Sequence, residues 1–288
     1  ATNSQVQWRL YFNDASQINF VKQKVDKVFQ PFVEQVQSEL RKAHQLEEEL
    51  FTFLTSPVSL VVENTANERE DIGEKMGGIL PYLLIVLCLT GAMYPAIDLG
   101  AGEKERGTLE TLLLTPISRF SIVIGKFMTI MTTGIVTALI TVASLLFWGY
   151  LIGEVAKINI VSRIFATIGV GDLSLILLML IPVSAIFAAI LLAISIYARS
   201  FKEAQNYMGP VSLVGFLPVM VAMLPGVTLN WTWALVPISN VALAIKEIVK
   251  GTVDYSMLFV ILMSTLVFAI ISIVFCARWF NKESVLFR

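Results

Sequence analysis

Gly102-Glu-Lys-Glu-Arg-Gly107-Thr108 has the glycine spacing of a loop that cradles phosphates with its backbone amides. Such a loop needs a lysine directly after the second glycine to reach the phosphates, and Thr108 stands there instead. No strand precedes it either, so the chain is expected to bind no nucleotide. Other chemistries fail on residue type. His44 is the only histidine, has no second metal ligand nearby in sequence, and is expected to be solvated on the polar side of a helix. There is no His-Glu-x-x-His, no cysteine–histidine arrangement, and no carboxylate pair within an apolar stretch. Cys88 and Cys276 both fall in apolar runs, where a thiol behaves as a small apolar side chain. The sequence therefore predicts no catalytic residue, no metal and no cofactor in this chain.

The elements that surround these residues explain the lack. The chain has 288 residues, 56% of them hydrophobic, with a mean hydropathy of +0.75. Between Glu203 and Lys246 run 42 residues without Asp, Glu, Lys or Arg, and uncharged stretches also cover Met76–Ile97, Phe127–Gly153, Leu173–Ala198 and Tyr255–Ala277. Each can cross a hydrocarbon core of roughly 30 Å as a helix of about 20 residues, which satisfies its own backbone in lipid. The 42-residue stretch is too long for one crossing. It is expected to span over about 206–224, turn near Pro225–Asn230, and dip back from about Trp231. Trp231 and Trp233 are expected at headgroup level.

Residues 1–75 differ: they carry a charge of −4, against +3 for 76–288. Neither part is basic enough to suggest nucleic acid. Gln5–Phe12 alternates polar and apolar residues as a half-buried strand does, and Pro57–Glu63 reads as a second strand. Between them Val21, Val25, Val28, Phe29, Phe32, Val33, Val36, Leu40, Leu46 and Leu50 recur at helical spacing after Asp14 or Ser16 as cap, with Pro31 kinking that helix or opening another. The expected fold is a mainly α-helical polytopic membrane protein with five visible transmembrane helices and a small α+β domain, 1–75, partial and on the outer side.

That side follows from the basic residues. Lys104, Arg106, Arg119, Lys126, Arg199, Lys202, Arg278, Lys282 and Arg288 lie on one set of connections. The other set has Lys157, Arg163, Lys246 and Lys250, with Arg69 and Lys75 near the membrane. The positive-inside rule puts the first set in the cytoplasm and 1–75 outside. An upstream helix is then expected ahead of this chain.

Between the first two spans, Thr108 can cap a short helix whose first turn favours Glu110. Leu109, Leu112, Leu113 and Ile117 form its apolar stripe, and Pro116 ends it. Composition fits either an interfacial helix on the inner leaflet or a docking helix for a soluble partner. The run GEKERGTLETLLLTP resembles the signature of type-2 ABC export permeases, most closely those of the sodium-efflux NatB type. The resemblance covers essentially the whole chain, with the first of the family's six membrane helices absent from it. It implies that 99–121 is a cytoplasmic coupling segment leaning on a separate ATP-binding subunit, which holds the ATP and Mg. Glu103, Lys104, Glu105, Arg106, Thr108 and Glu110 are carried over as contacts. Pro237-Ile-Ser-Asn240 and the amphipathic Val241–Gly251 resemble the family's outer re-entrant helices. That implies a re-entrant or interfacial segment over 228–254 with Pro237 and Asn240 at an outer gate. The implied assembly pairs two permease copies in a prokaryotic plasma (inner) membrane, with the C-terminus cytoplasmic.

The resemblance implies sodium ion as substrate, while no carboxylate is expected at membrane depth to hold it. Export of lipid, peptide or drug is the alternative within the same architecture, and a non-transporting scaffold or receptor the alternative outside it. The interior hydroxyls Thr132, Thr133, Thr137, Thr141, Ser144, Ser184 and Ser195 are expected to bond between helices or to their own backbone.

Overall fold

A computed structural model of the protein describes residues 6–12, 24–25, 27–32, 35–36, 58–64, 69–70, 73–74, 77–155, 168–224 and 226–280. The chain divides into two units, Ala1–Asp71 and Ile72–Arg288. In the first, β1 (Val6–Phe12) pairs in parallel with β2 (Val58–Asn64), in the register Val6↔Val58 through Phe12↔Asn64. Parallel neighbours need a crossover of a dozen or more residues, and the described residues from 24 to 36 within it are helical. Pro31 sits among helical residues 27–32 and does not end the helix there. The apolar stripe is narrower than its spacing suggests: Val28 and Phe32 are exposed, while Val25, Phe29 and Val36 are half-buried. Leu40, His44, Leu46 and Leu50 lie outside the described residues.

The second unit is a helical bundle. Its helices are α1 (Ile79–Ile97), α2 (Glu103–Glu105), α3 (Thr108–Leu113), α4 (Arg119–Tyr150), α5 (Val170–Tyr197), α6 (Phe201–Met220), α7 (Trp231–Ala234), α8 (Ser239–Lys250) and α9 (Tyr255–Phe280). Among the described residues five continuous helical stretches are long and apolar enough to cross a membrane: Ile79–Glu105, Arg119–Gly153, Val170–Tyr197, Phe201–Met223 and Tyr255–Phe280. The first runs further than the uncharged sequence predicted. A π-helical turn, Asp98–Gly102, joins α1 to α2, so the helix continues to Glu105. Only 106–118 then connects it to α4.

Local chemistry sets the starts of these helices. Ser118 accepts from the Ser121 amide at 3.1 Å and caps α4. Ser200 accepts from the Glu203 amide at 3.2 Å, so α6 begins at Phe201 rather than near 206. Pro210 and Pro218 lie inside α6, and Pro182 inside α5, each removing one ladder donor. Pro225 lies outside the described residues; Gly226 has φ 77°, a left-handed turn that suits glycine.

α5 is apolar all round and is the central helix, packed by α1, α4, α6, α8 and α9. Its neighbours come very close. A Cβ at Gly134 would lie 2.7 Å from the Ser184 hydroxyl, and one at Gly91 would lie 2.2 Å from that of Thr137. Small residues replace the missing hydrophobic drive between helices in lipid. Outward faces of α4, α6 and α9 expose Ile140, Phe147, Leu213, Val214, Leu217, Phe259, Ile271 and Phe275. An apolar surface of this extent belongs against lipid or another membrane chain.

Candidate functional site

Residues 106–118 and 198–200 lie at one end of this bundle. Residues 73–74, 77–78, 224 and 226–254 lie at the other. At the first end α1 passes into the π turn Asp98–Gly102, which contains Ala101 and its amide. The amide donates to the Ser195 hydroxyl of α5 at 3.0 Å, and that hydroxyl donates to the Ile97 carbonyl at 3.3 Å. Gly100 makes the approach possible, since a Cβ there would lie 2.2 Å from the Ser195 oxygen.

The helix tip beyond this turn is fastened on three sides. Lys126 of α4, 6% exposed, forms an ion pair with Glu103 and donates to the Leu99 carbonyl. Lys104 Nζ donates to the Ile196 carbonyl near the end of α5 at 3.1 Å. The Phe201 amide, the first helical donor of α6, donates to Glu105 Oε2 at 2.6 Å. The Phe201 ring meets Tyr94 of α1 edge-on, with centroids 5.7 Å apart. Arg106 pairs with Asp98 at 2.8 Å on the surface, and that hydrogen bond raises the guanidinium pKa further.

Glu103 and Lys104 are thus turned toward the bundle, while Glu105, Arg106, Thr108 and Glu110 are exposed. Thr108 does not cap α3. Gly107, in a left-handed conformation at φ 72°, precedes the helix, and the Thr108 hydroxyl donates back to the Glu103 carbonyl at 3.1 Å. The left-handed turn reverses the chain without a side-chain cap. α3 ends at Leu113, ahead of Pro116, which biases the residue before it away from helix. Leu109 is buried and Leu112 and Leu113 pack on the core. Ile117 leaves that stripe: with Leu114 and Phe120 it is exposed, at 53%, 87% and 59% respectively. The sequence reading missed those last two residues and also Lys126, whose only signal is a lysine seven residues into an apolar helix.

At the other end every residue of α8 is buried, Lys246, Glu247 and Lys250 included. This helix, within the segment expected to be re-entrant or interfacial, packs against α1, α5, α6, α7 and α9. Its charges neutralise one another. Lys246 Nζ lies 2.8 Å from Glu74 Oε1, and Lys250 Nζ lies 3.2 Å from Glu74 Oε2 and 3.5 Å from Glu247. The Thr252 hydroxyl donates to Glu247. Gly73 and Gly77 let the segment ahead of α1 lie directly on Lys250 and Lys246. The expectation of no buried carboxylate is therefore corrected: Glu74, Glu103 and Glu247 are buried or nearly so, and each faces a lysine.

Asn240 is wholly buried. It donates to the Ala234 carbonyl, Ser264 and Thr265, and accepts from the Val241 amide, tying α7, α8 and α9 together. Pro237 is half-buried, and the next residue, Ile238, has φ 70°, a strained value for a β-branched side chain. Ser239 donates to the Pro218 carbonyl of α6 at 2.8 Å. Among the described residues no His, Cys, Asp or Glu group has the arrangement of a metal site.

Five membrane-length helices, a fastened helix tip and an exposed helical connection at one end fit a polytopic membrane protein. The chain belongs to the ABC-2 family transporter proteins, whose sequence model matches residues 12–285. It is 28% identical over 235 residues to the ABC transporter permease protein NatB of Bacillus subtilis (strain 168), covering 79% of this chain and 58% of that protein. No solved structure matches.

Proposed function

We propose that the chain acts as the permease subunit of an ATP-driven exporter, with a separate ATP-binding subunit docking at the cytoplasmic face of 103–120. The exposed patch of Leu114, Ile117 and Phe120 beside Arg106, Thr108 and Glu110, carried on a tip fastened to three helices, is the observation that supports this best. An apolar patch rimmed by charges suits a protein partner, and a fastened tip transmits what it receives. In this reading two permease copies assemble in the prokaryotic plasma membrane, and residues 1–75 lie outside.

Sodium ion is the proposed substrate, in keeping with the sodium-efflux permeases that the GEKERGTLETLLLTP run resembles. The buried carboxylates are occupied by lysines, so coordination falls to neutral oxygens. Thr132, Thr133 and Thr137 donate their hydroxyl protons to carbonyls of their own helix, at 2.7, 2.7 and 2.8 Å. Their oxygens keep lone pairs directed outward. With Thr129, Met128 and Val136 they line an open, mostly apolar hollow of about 560 Å³ on α4. The pairing of all three carboxylates also favours a second reading, export of an uncharged lipid or drug. ATP-dependent uptake of sodium-22 into inverted vesicles carrying the full permease and its ATP-binding subunit separates the two. Sodium accumulation is the expected result; its absence in vesicles that hydrolyse ATP and move a labelled lipid overturns the sodium assignment.

A further inference from the structure

α6 is far less buried than α5, and its buried residues near the end that carries the exposed connection are Ala204 and Met208. Only Ala204, Met208 and Val219 along it are buried, and Pro210 and Pro218 interrupt its ladder. α5, by contrast, is buried along most of its length. The first turn of α6 is joined to the tip of the α1 helix by two contacts, the Glu105 carboxylate on the Phe201 amide and the Tyr94 ring on the Phe201 ring. A carboxylate at a helix N-terminus also meets the positive end of the helix dipole. On the far side of the same tip, Glu103 is anchored to Lys126 on α4.

Resting on the permease reading above, we infer that Glu105 is a tether rather than a docking contact. It passes motion of the exposed 106–118 connection to α6, while the Glu103–Lys126 pair keeps the tip attached to α4. Both are positioning residues: neither needs to touch substrate or nucleotide. The mechanical reasoning is one of unequal constraint. A push on 106–118 enters a continuous helix, cannot readily shift the buried α5, and reaches the less buried α6 through the Glu105 contact. The proline-interrupted α6 can then bend instead of transmitting the displacement rigidly along its length.

The test uses the full permease with its ATP-binding subunit in membrane vesicles, with Cys88 and Cys276 replaced by alanine and exposed Lys202, in the first turn of α6, replaced by cysteine. Maleimide labelling of that cysteine is timed with and without ATP and vanadate. In the parent a several-fold change in labelling rate on nucleotide trapping is expected. Glu105→Ala and Lys126→Met should abolish the change while ATP-binding subunit recovery and ATP hydrolysis persist. Glu105→Gln should restore it, because the amide oxygen still accepts from Phe201, and Glu103→Lys with Lys126→Glu should restore it through the reversed pair. If Lys126→Met fails to insert, the exposed Glu105 series decides alone. A nucleotide response undiminished in Glu105→Ala overturns the tether and leaves the permease reading intact. A parent that binds no ATP-binding subunit overturns both.

Discussion

Removing the Glu74 carboxylate should destabilise the bundle far more than removing the lysine it faces. Lys246 is 2% exposed, and its ammonium has Glu74 at 2.8 Å. Glu74→Ala therefore leaves a buried cation and raises the cluster of Glu74, Lys246, Glu247 and Lys250 from neutral to a net positive charge. Breaking a buried pair in this way costs about 3–5 kcal/mol. Lys246→Met is milder, because Glu74 keeps Lys250 at 3.2 Å and the cluster keeps a second ion pair at 3.5 Å. Losing one charge-assisted hydrogen bond there costs about 1.5–3 kcal/mol. In the double variant Glu74→Ala/Lys246→Met neutrality returns through Glu247 and Lys250, and apolar replacement of a buried pair is often close to neutral. Its cost should fall short of the sum of the two single variants by most of that sum, which is about 4.5–8 kcal/mol. Denaturant unfolding in mixed micelles, followed by tryptophan fluorescence with Trp231 and Trp233 close to α8 in sequence, measures all three. Equal single-variant costs, or additivity within about 0.5 kcal/mol, would refute the reasoning.

Two further substitutions test other parts of the structure. Ser195→Ala strips the Ala101 amide of its acceptor at the π turn and should cost about 1–3 kcal/mol in the same unfolding measurement, with backbone exchange at residues 98–102 rising first. Asp254 accepts from the Ser256 hydroxyl at 2.7 Å and its amide at 2.9 Å, which lowers the carboxyl pKa at the start of α9. A depressed folded value means the contribution is present above the unfolded value of about 3.9 and is lost as pH falls through the folded one. The melting temperature of Asp254→Ala should therefore lie below that of the parent at neutral pH, and the two should converge in acid.

The five candidate membrane crossings were legible because charge is the one property lipid does not tolerate, although two of the helices run eight residues past their uncharged stretches, to Glu105 and from Arg119. Where the reading stopped short, a charged residue had found a distant partner. Glu103-Lys104-Glu105 looks like loop, yet stays helical because α4, α5 and α6 each receive one of its side chains. α8 carries the pattern of an interfacial helix, with Lys246, Glu247 and Lys250 on one face, and no local signal announces that Glu74 will cover that face from 172 positions away. Thr108 has the residue type of a cap, but the left-handed Gly107 before it makes a cap unnecessary. The run 102–116 stood out in the sequence by its motif, while the exposure of Leu114 and Phe120 depended on which way α3 turned.

The two ion-pair clusters also constrain how the bundle can move. Glu74 stands just ahead of α1, and Glu103 stands at the tip of the same continuous helix, beyond the π turn. Each is held by lysines from another helix, Lys246 and Lys250 of α8 at one end and Lys126 of α4 at the other. Sliding α1 along its axis would pull on both pairs at once, and each costs several kcal/mol to break when buried. A tilt about the middle of α1, where Gly91 meets Thr137 and Cys88 lies beside Gly134, displaces the ends in opposite directions and lets the long lysine side chains follow. Small residues at the crossing and charges at the extremities thus favour rocking of α1 over translation, with α8 and α6 as the elements that respond at either end.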